Sequence, residues 1–360
     1  MKKLEERNQR IIDAIIQKAH RVCPGALALI GIYGSFATGD AHEKSDLDLL
    51  VLVNDERGFQ LGCAFIQDDL QVGHDIYCTT WDSLERDAEY SHPNISKLMD
   101  SKIVYCADPK YLEKLKNLRT KAATILQKPL TKEDFQKAEK LLKDAEHFYM
   151  AALIAESLSE TKVQAGKAVY YAENALAMLN KAYFRFGTKQ TVEELESMVH
   201  RPTDLRKMVK AMLSAETAEQ LRQHLTALVH ETARVFQDVD RSLPITKQPV
   251  LADNISGTFE EMFSNWRNKL YTAAASGDRH LAFMSMTSMQ AMLEDIHSGV
   301  DIGCYDVMAC YDPNDLRRTA EACDEVLERY LAEYQKAGIS ANRYENIGAF
   351  LTDYLKDHQN

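Results

Sequence analysis

Two aspartates one residue apart, Asp46 and Asp48, stand at the head of the apolar run "LDLLVLV" at residues 47–53. A lone carboxylate at a buried position is costly, so whatever forms around this run must give the pair solvent or a counter-charge. In extended backbone, residues two apart emerge on one face, which points Asp46 and Asp48 one way and Leu47 and Leu49 the other. Two carboxylates so placed repel each other. A divalent cation between them reverses that balance, and hard oxygen ligands suit Mg²⁺. A third carboxylate, Asp75 in "GHDIYC", is flanked by apolar residues in a later run. If the two strands are neighbours, three acidic ligands at one sheet end make a two-metal donor set.

The runs around this pair define a small α/β domain. "ALALIGIY" (26–33) and "LDLLVLV" are of strand length, and "HDIYCT" (74–79) and "KIVYCA" (102–107) are shorter and rich in Ile, Val and Tyr. The stretch "GFQLGCAFIQDDLQVG" between the second and third suits either a helix or a hairpin turning at Asp68-Asp69, and periodicity does not choose. The N-terminal "MKKLEERNQRIIDAIIQKAH" has the spacing of an amphipathic helix. From about residue 111 β-branched runs vanish and Ala, Leu, Glu, Lys and Met dominate. "TKEDFQKAEKLLKDAEHFYMAALIAES" opens on the cap-type residues Thr131 and Asp134. "RSLPITKQPVLADNISG" (241–257), with two prolines and a glycine, has the composition of a linker. The expected class is therefore α+β, with an α/β domain with a small mixed sheet at 1–110, a helical bundle at 111–246 and a second helical segment at 257–360.

Composition narrows the function. A formal charge of −11 on 360 residues argues against a duplex nucleic-acid binder, which needs a basic face. Residues 1–115 hold 19 acidic against 13 basic side chains, which suits divalent cations or a cationic substrate. The seven cysteines are scattered, without a C-x-x-C pair or a His partner at metal spacing, as expected of reduced core thiols. No apolar run approaches the length of a membrane span and the N-terminus is unlike a signal peptide, so the expected setting is the cytoplasm with no membrane partner.

Upstream of the aspartates, "YGSFATG" follows a strand and brings Gly34, Ser35 and Gly39 into a turn. Glycine lets backbone approach an anion, and Ser35 offers a hydroxyl and an N–H, the makings of a phosphate cradle. Ser45 suits a turn, and His42 and His74 flank the site as hydrogen-bonding residues more naturally than as ligands.

A glycine-serine pair, a ten-residue gap, Asp-x-Asp opening a strand, and a later strand aspartate together resemble the nucleotidyltransferase superfamily of the DNA polymerase β type. The resemblance runs through residues 27–79, and "GSFATGDAHEKSDLDLLV" is similar to its minimal and antibiotic-modifying branches. It implies that Asp46 and Asp48 hold two Mg²⁺ ions, that Asp75 binds the catalytic metal and helps deprotonate an acceptor hydroxyl, and that Gly34 and Ser35 bind the phosphates of a nucleoside triphosphate, ATP foremost. The implied chemistry is in-line displacement at the α-phosphorus with release of pyrophosphate.

"YYAENALAMLNKAYFRFGTKQTVEELESM" (170–198) is more loosely similar to the helical segment that follows the catalytic domain in aminoglycoside- and lincosamide-type nucleotidyltransferases. By that likeness Lys189 reaches the nucleotide phosphates, and Glu173 or Glu146 faces the acceptor as an auxiliary base. Trp266 and Tyr271, in the Met- and aromatic-rich stretch beyond the linker, are candidates for an acceptor pocket. The expected acceptor is a small molecule bearing a hydroxyl, an aminoglycoside-like cation in keeping with the acidic balance. Modification of a protein side chain is the alternative. A nucleotide-binding protein without catalysis is disfavoured because all three carboxylates are present.

Overall fold

The structure, a computed structural model, describes residues 2–244 and 247–356. Residues 1, 245–246 and 357–360, which hold outer ends of the expected segments and two positions of the expected linker, lie outside the described residues. The chain divides into two compact units, residues 1–244 and 245–360.

The first unit opens with α1 (Lys2–Val22), followed by β1 (Leu27–Ile32), the short α2 (Ser35–Thr38) and β2 (Leu49–Val53). A 3₁₀ turn at Glu56–Leu61 leads to β3 (Cys63–Gln67), β4 (Val72–Ile76) and β5 (Cys78–Thr80). Then come α3 (Trp81–Ala88), α4 (Ser96–Met99) and β6 (Lys102–Cys106). Four strands form a mixed sheet in the order β5-β2-β1-β6, with β1 antiparallel to β2 and β6, and β2 parallel to β5. The undecided stretch is resolved as 3₁₀ turn plus hairpin. β3 and β4 pair antiparallel around a turn at residues 68–71, apart from the main sheet. The run 74–79 is accordingly not one strand: it ends β4 and, after a break at Tyr77, begins β5.

Both faces of the sheet are covered, which is why β1 and β2 read as nearly continuous apolar runs. One face, with Leu27, Ile30, Leu49, Val51 and Val53, packs with Ile12, Ile15 and Ala19 of α1. The other, with Ala28, Leu29, Leu50 and Leu52, packs with Trp81, Leu84 and Leu98. Each such Leu or Val contributes about 1.5–3 kcal/mol by leaving water.

That second core does not stop at the sheet. It continues through α5 (Pro109–Gln127), α6 (Lys132–Ile154), α7 (Leu158–Leu179), α8 (Thr191–Glu196), α9 (Leu205–Leu213) and α10 (Ala218–Ser242), from Leu115 and Phe135 to Phe236 and Val239. Thr131 and Asp134 cap α6 reciprocally, each side chain accepting the other's backbone N–H. Buried Tyr90 ties the two regions together: its hydroxyl donates to the carbonyl of Ala182 at 2.6 Å, beyond the end of α7. Phe184 N–H donates to Pro93 O at 3.3 Å, and Tyr183 hydroxyl to Asp100 Oδ1 at 3.0 Å. The loop that follows α7 is thus pinned to the sheet-bearing region.

The second unit is helical: α11 (Ala252–Ile255), α12 (Thr258–Met262), a π-helical turn at Phe263–Arg267, α13 (Asn268–Ser276), α14 (Arg279–Gly299), α15 (Leu316–Lys336) and α16 (Ile347–Tyr354). The stretch expected as a linker also carries structure, since α11 lies within it and Gln248 bridges to Val300. Met262, Met286 and Met289 are fully buried among Leu293, Cys323 and Tyr330, so most of the methionine stripe is bundle core. Trp266 and Tyr271 pack against that core, and Tyr271 hydroxyl donates to Asp324 Oδ2 at 2.7 Å. Among the described residues no helix is long and apolar enough to cross a membrane.

Candidate active site

The β1–β2 ladder sets the site. Ile32 pairs with Leu49, and Tyr33 N–H donates to Asp48 O at 3.1 Å, carrying the pairing one step past both strands. The aspartates therefore precede β2 in extended backbone, where burial alternates: Ser45, Leu47 and Leu49 are buried, Asp46 is exposed and Asp48 half-buried. The shared face expected from their spacing is present, at the lip of the sheet.

Gly34 follows directly and turns over the Asp48 side chain. Its φ is +64°, a region that favours glycine, and a Cβ placed there would lie 1.9 Å from Asp48 Oδ2. The chain then enters α2 at Ser35. Ala37 and Thr38 donate N–H groups to Gly34 O at 2.9 and 3.0 Å, and Gly39, at φ +89°, ends the turn. The first amides of such a turn have no acceptor within the helix and present N–H groups to an anion.

Burial, and then the neighbouring Asp46 charge, raise the Asp48 carboxyl to about 6, while Lys189 acts the other way. Tyr33 is pushed up to about 12 by burial and then by the charges of Asp48, Asp46 and Asp75. One phenol thus feels all three carboxylates. Asp75 lies on β4 of the hairpin, opposite Ala64 of β3, and faces a cavity of about 360 Å³ that Asp46 also lines. His74 points to the other face of the hairpin. It is 4% exposed, stacks on Phe65 at 4.9 Å, and approaches Gln67 Oε1 with Nε2 at 3.4 Å.

Lys189 ends a 3₁₀ turn at Gly187–Lys189 in the loop that Tyr90, Tyr183 and Phe184 anchor. Its Nζ stands 3.8 Å from Asp40 Oδ2, beside the Gly34–Gly39 turn. Glu194 of α8 accepts the N–H groups of Arg185 and Phe186 at 2.8 and 3.3 Å and holds the same loop. Glu146 on α6 and Glu173 on α7 are both half-buried, and no hydrogen bond or ion pair joins either to Asp46, Asp48 or Asp75 among the described residues. Burial alone raises Glu173 to about 7. Ser45 N–H donates to His42 O at 2.9 Å and Ser45 Oγ accepts from His42 N–H at 2.9 Å, so both residues shape the loop before Asp46.

Three contributors escaped the sequence. Asp40 partners Lys189, and its only signal is its place after the left-handed Gly39. Arg7, near the start of α1, donates Nη2 to Ser45 O at 2.9 Å and lies close to Asp46. Asp100 anchors Tyr183, with Arg185 Nε 3.6 Å from it. All three act across long sequence separations that periodicity does not reveal.

The donors suit a hard cation: the Asp46–Asp48 pair carries a like-charge penalty that a bound divalent ion relieves. Among the described residues, no three His, Cys, Asp or Glu side chains close to metal-ligand spacing, so Asp75 is gathered near the pair without completing a cage. In comparison with known proteins, residues 11–105 match the nucleotidyltransferase domain family. No curated protein matches the chain.

Proposed function

With residues 11–105 a nucleotidyltransferase domain, we propose that the protein transfers a nucleoside monophosphate, AMP from ATP foremost, to a hydroxyl of a small molecule. The observation that carries this is the meeting of Gly34 and Asp48: a phosphate-type turn folded directly onto a carboxylate, with Asp46 and Asp75 bordering one cavity nearby.

In this reading Asp46 and Asp48 would hold Mg²⁺, with Asp75 as the third ligand. The metal supplies charge neutralisation at the phosphates when bound. The amides of the Gly34–Ser35 turn and the Ser35 hydroxyl orient the triphosphate, and Lys189 meets its charge from the side of Asp40. Asp75, exposed at the cavity lip, accepts the proton of the acceptor hydroxyl and passes it to water. The hydroxyl oxygen forms a bond to the α-phosphorus, the bond to the β-phosphate oxygen breaks, and its electron pair leaves with pyrophosphate.

The test is label transfer from each α-labelled nucleoside triphosphate with Mg²⁺ across a panel of hydroxyl compounds, alongside Asp46→Asn and Asp48→Asn. Loss of transfer in both variants, with far-UV circular dichroism unchanged, is expected. Full activity in either one sinks the assignment.

A further inference from the structure

Two cavities share Phe65 as a wall. One is the carboxylate cavity, where Asp46 and Asp75 stand beside Ala64, Ile66 and Gly73. The other, of about 630 Å³, lies along α1 and is bordered by Lys3, Arg7 and Arg10 against a single acid, Glu6. The hairpin face that carries Asp75 is otherwise apolar. Ala64 pairs with Asp75 and Ile66 with Gly73, Ile66 is 72% exposed, and a side chain at Gly73 would meet open space. Among the described residues Asp46 and Asp75 are the acidic side chains that border that cavity, and the metal reading already uses both.

Two buried polar groups beside Phe65 lack partners among the described residues. His74, 4% exposed on the hairpin face that points away from Asp75, leaves Nδ1 without a hydrogen bond, and Nη1 of Arg7 on α1 is likewise unpartnered. Both are nitrogens with unused hydrogen-bonding capacity, and an orphaned buried donor is expensive unless something is to be bound. Arg7 is already fixed in place, its Nε and Nη2 donating to Asn8 Oδ1 at 3.0 and 2.8 Å and Nη2 also to Ser45 O. Held so, the guanidinium is a ready partner for an oxyanion. Lys3, Arg7 and Arg10 all precede residue 11, where the matched family domain begins.

We propose that the acceptor is an anionic hydroxyl compound: its hydroxyl lies at Asp75, its apolar body against Phe65, the wall the two cavities share, and its carboxylate or phosphate in the Lys3–Arg7–Arg10 cavity. This rests on the nucleotidyl-transfer reading and assigns its acceptor. The local charge opposes the aminoglycoside-like cation that the acidity of residues 1–115 suggests, because the acids of α1 other than Glu6 do not border this cavity.

The experiment compares four acceptors of one alkyl chain length: an ω-hydroxyalkanoate, the ω-hydroxyalkyl phosphate, the α,ω-diol and the ω-aminoalkanol. Each is offered with Mg²⁺ and α-labelled ATP to the full chain and to a Lys3→Glu/Arg10→Glu variant. Transfer to the two anions is expected to exceed transfer to the diol in kcat/KM by on the order of tenfold, each exposed cation contributing a few-fold. The faster of the two identifies the anion. The double variant is expected to erase that advantage while leaving the diol rate and the half-saturating ATP concentration unchanged. Preference for the aminoalkanol, an unchanged anion-to-diol ratio in the variant, or a variant effect on ATP alone overturns the proposal. Release of pyrophosphate to water with none of the four labelled overturns it and leaves nucleotidyl transfer standing. Absence of pyrophosphate release altogether overturns both.

Discussion

Replacing Asp48 by Asn is expected to make the first unit more stable while abolishing the proposed nucleotidyl transfer. The carboxyl is raised from its ordinary 3.8 to about 6 by burial and by Asp46, which at about 1.4 kcal/mol per tenfold change in affinity for the proton corresponds to about 3 kcal/mol. Asp48 keeps some contact with solvent, so the recoverable part is about 1–3 kcal/mol. The sign follows from linkage. Between about 4 and 6 the native state binds more protons than the unfolded chain, so the stability of the natural protein falls as pH rises through that window. Asparagine carries no such penalty; its advantage is absent near pH 4 and complete above about 7. Urea unfolding in EDTA at both ends of this range measures it. In a Trp266→Phe background the remaining tryptophan is Trp81, which is buried in the first unit and donates Nε1 to Asn54 Oδ1 at 3.0 Å, so its emission reports that unit alone. An Asn variant no more stable than its parent at pH 8 would refute the reasoning, because Asp48 would then not be held against its own charge.

The remaining predictions use the same reporter. Gly34→Ala is expected to cost on the order of 2 kcal/mol or more, since it combines a φ of +64° with a Cβ 1.9 Å from Asp48 Oδ2, and Gly34→Ala/Asp48→Gly is expected to regain part of the loss. Tyr90→Phe leaves the Ala182 carbonyl short of its 2.6 Å donor in a buried setting and is expected to lower urea stability by about 1–3 kcal/mol. Glu173 is raised to about 7 by burial, so Glu173→Gln is expected to stabilise the first unit at pH 8 and leave it unchanged near pH 4.5, the penalty on the carboxylate growing only as pH rises. If Glu173 also serves as a base, the pH–rate profile of transfer rises through about 7 and the Gln variant loses that limb.

How much was legible in the chain follows from how local each signal is. The spacing of Asp46 and Asp48 and the glycine before Ser35 encode short-range geometry, and the structure has both, with the ladder stepping from Ile32–Leu49 to Tyr33–Asp48. The hairpin was not legible because β3 is exposed along most of its length, so its apolar residues follow no burial alternation. Asp75 consequently looked like part of a core strand, whereas it stands on a separate two-stranded element. Lys189 was visible only through a likeness to other chains. What brings it to the site is a loop closed by Tyr183, Phe184 and Glu194, and no pattern within residues 180–190 announces those partners.

The single core running from β1 to α10 bears on how such a chain can be taken apart or inherited. A fragment ending near residue 110 would carry every carboxylate of the site, yet it would strip Leu84, Leu98 and Tyr90 of their neighbours in α5–α7 and lose Lys189 altogether. Shuffling or truncation that respects the motif boundaries therefore cuts through a continuous core. The compact unit that carries the candidate site is the whole of residues 1–244, and its helices share the core of its sheet.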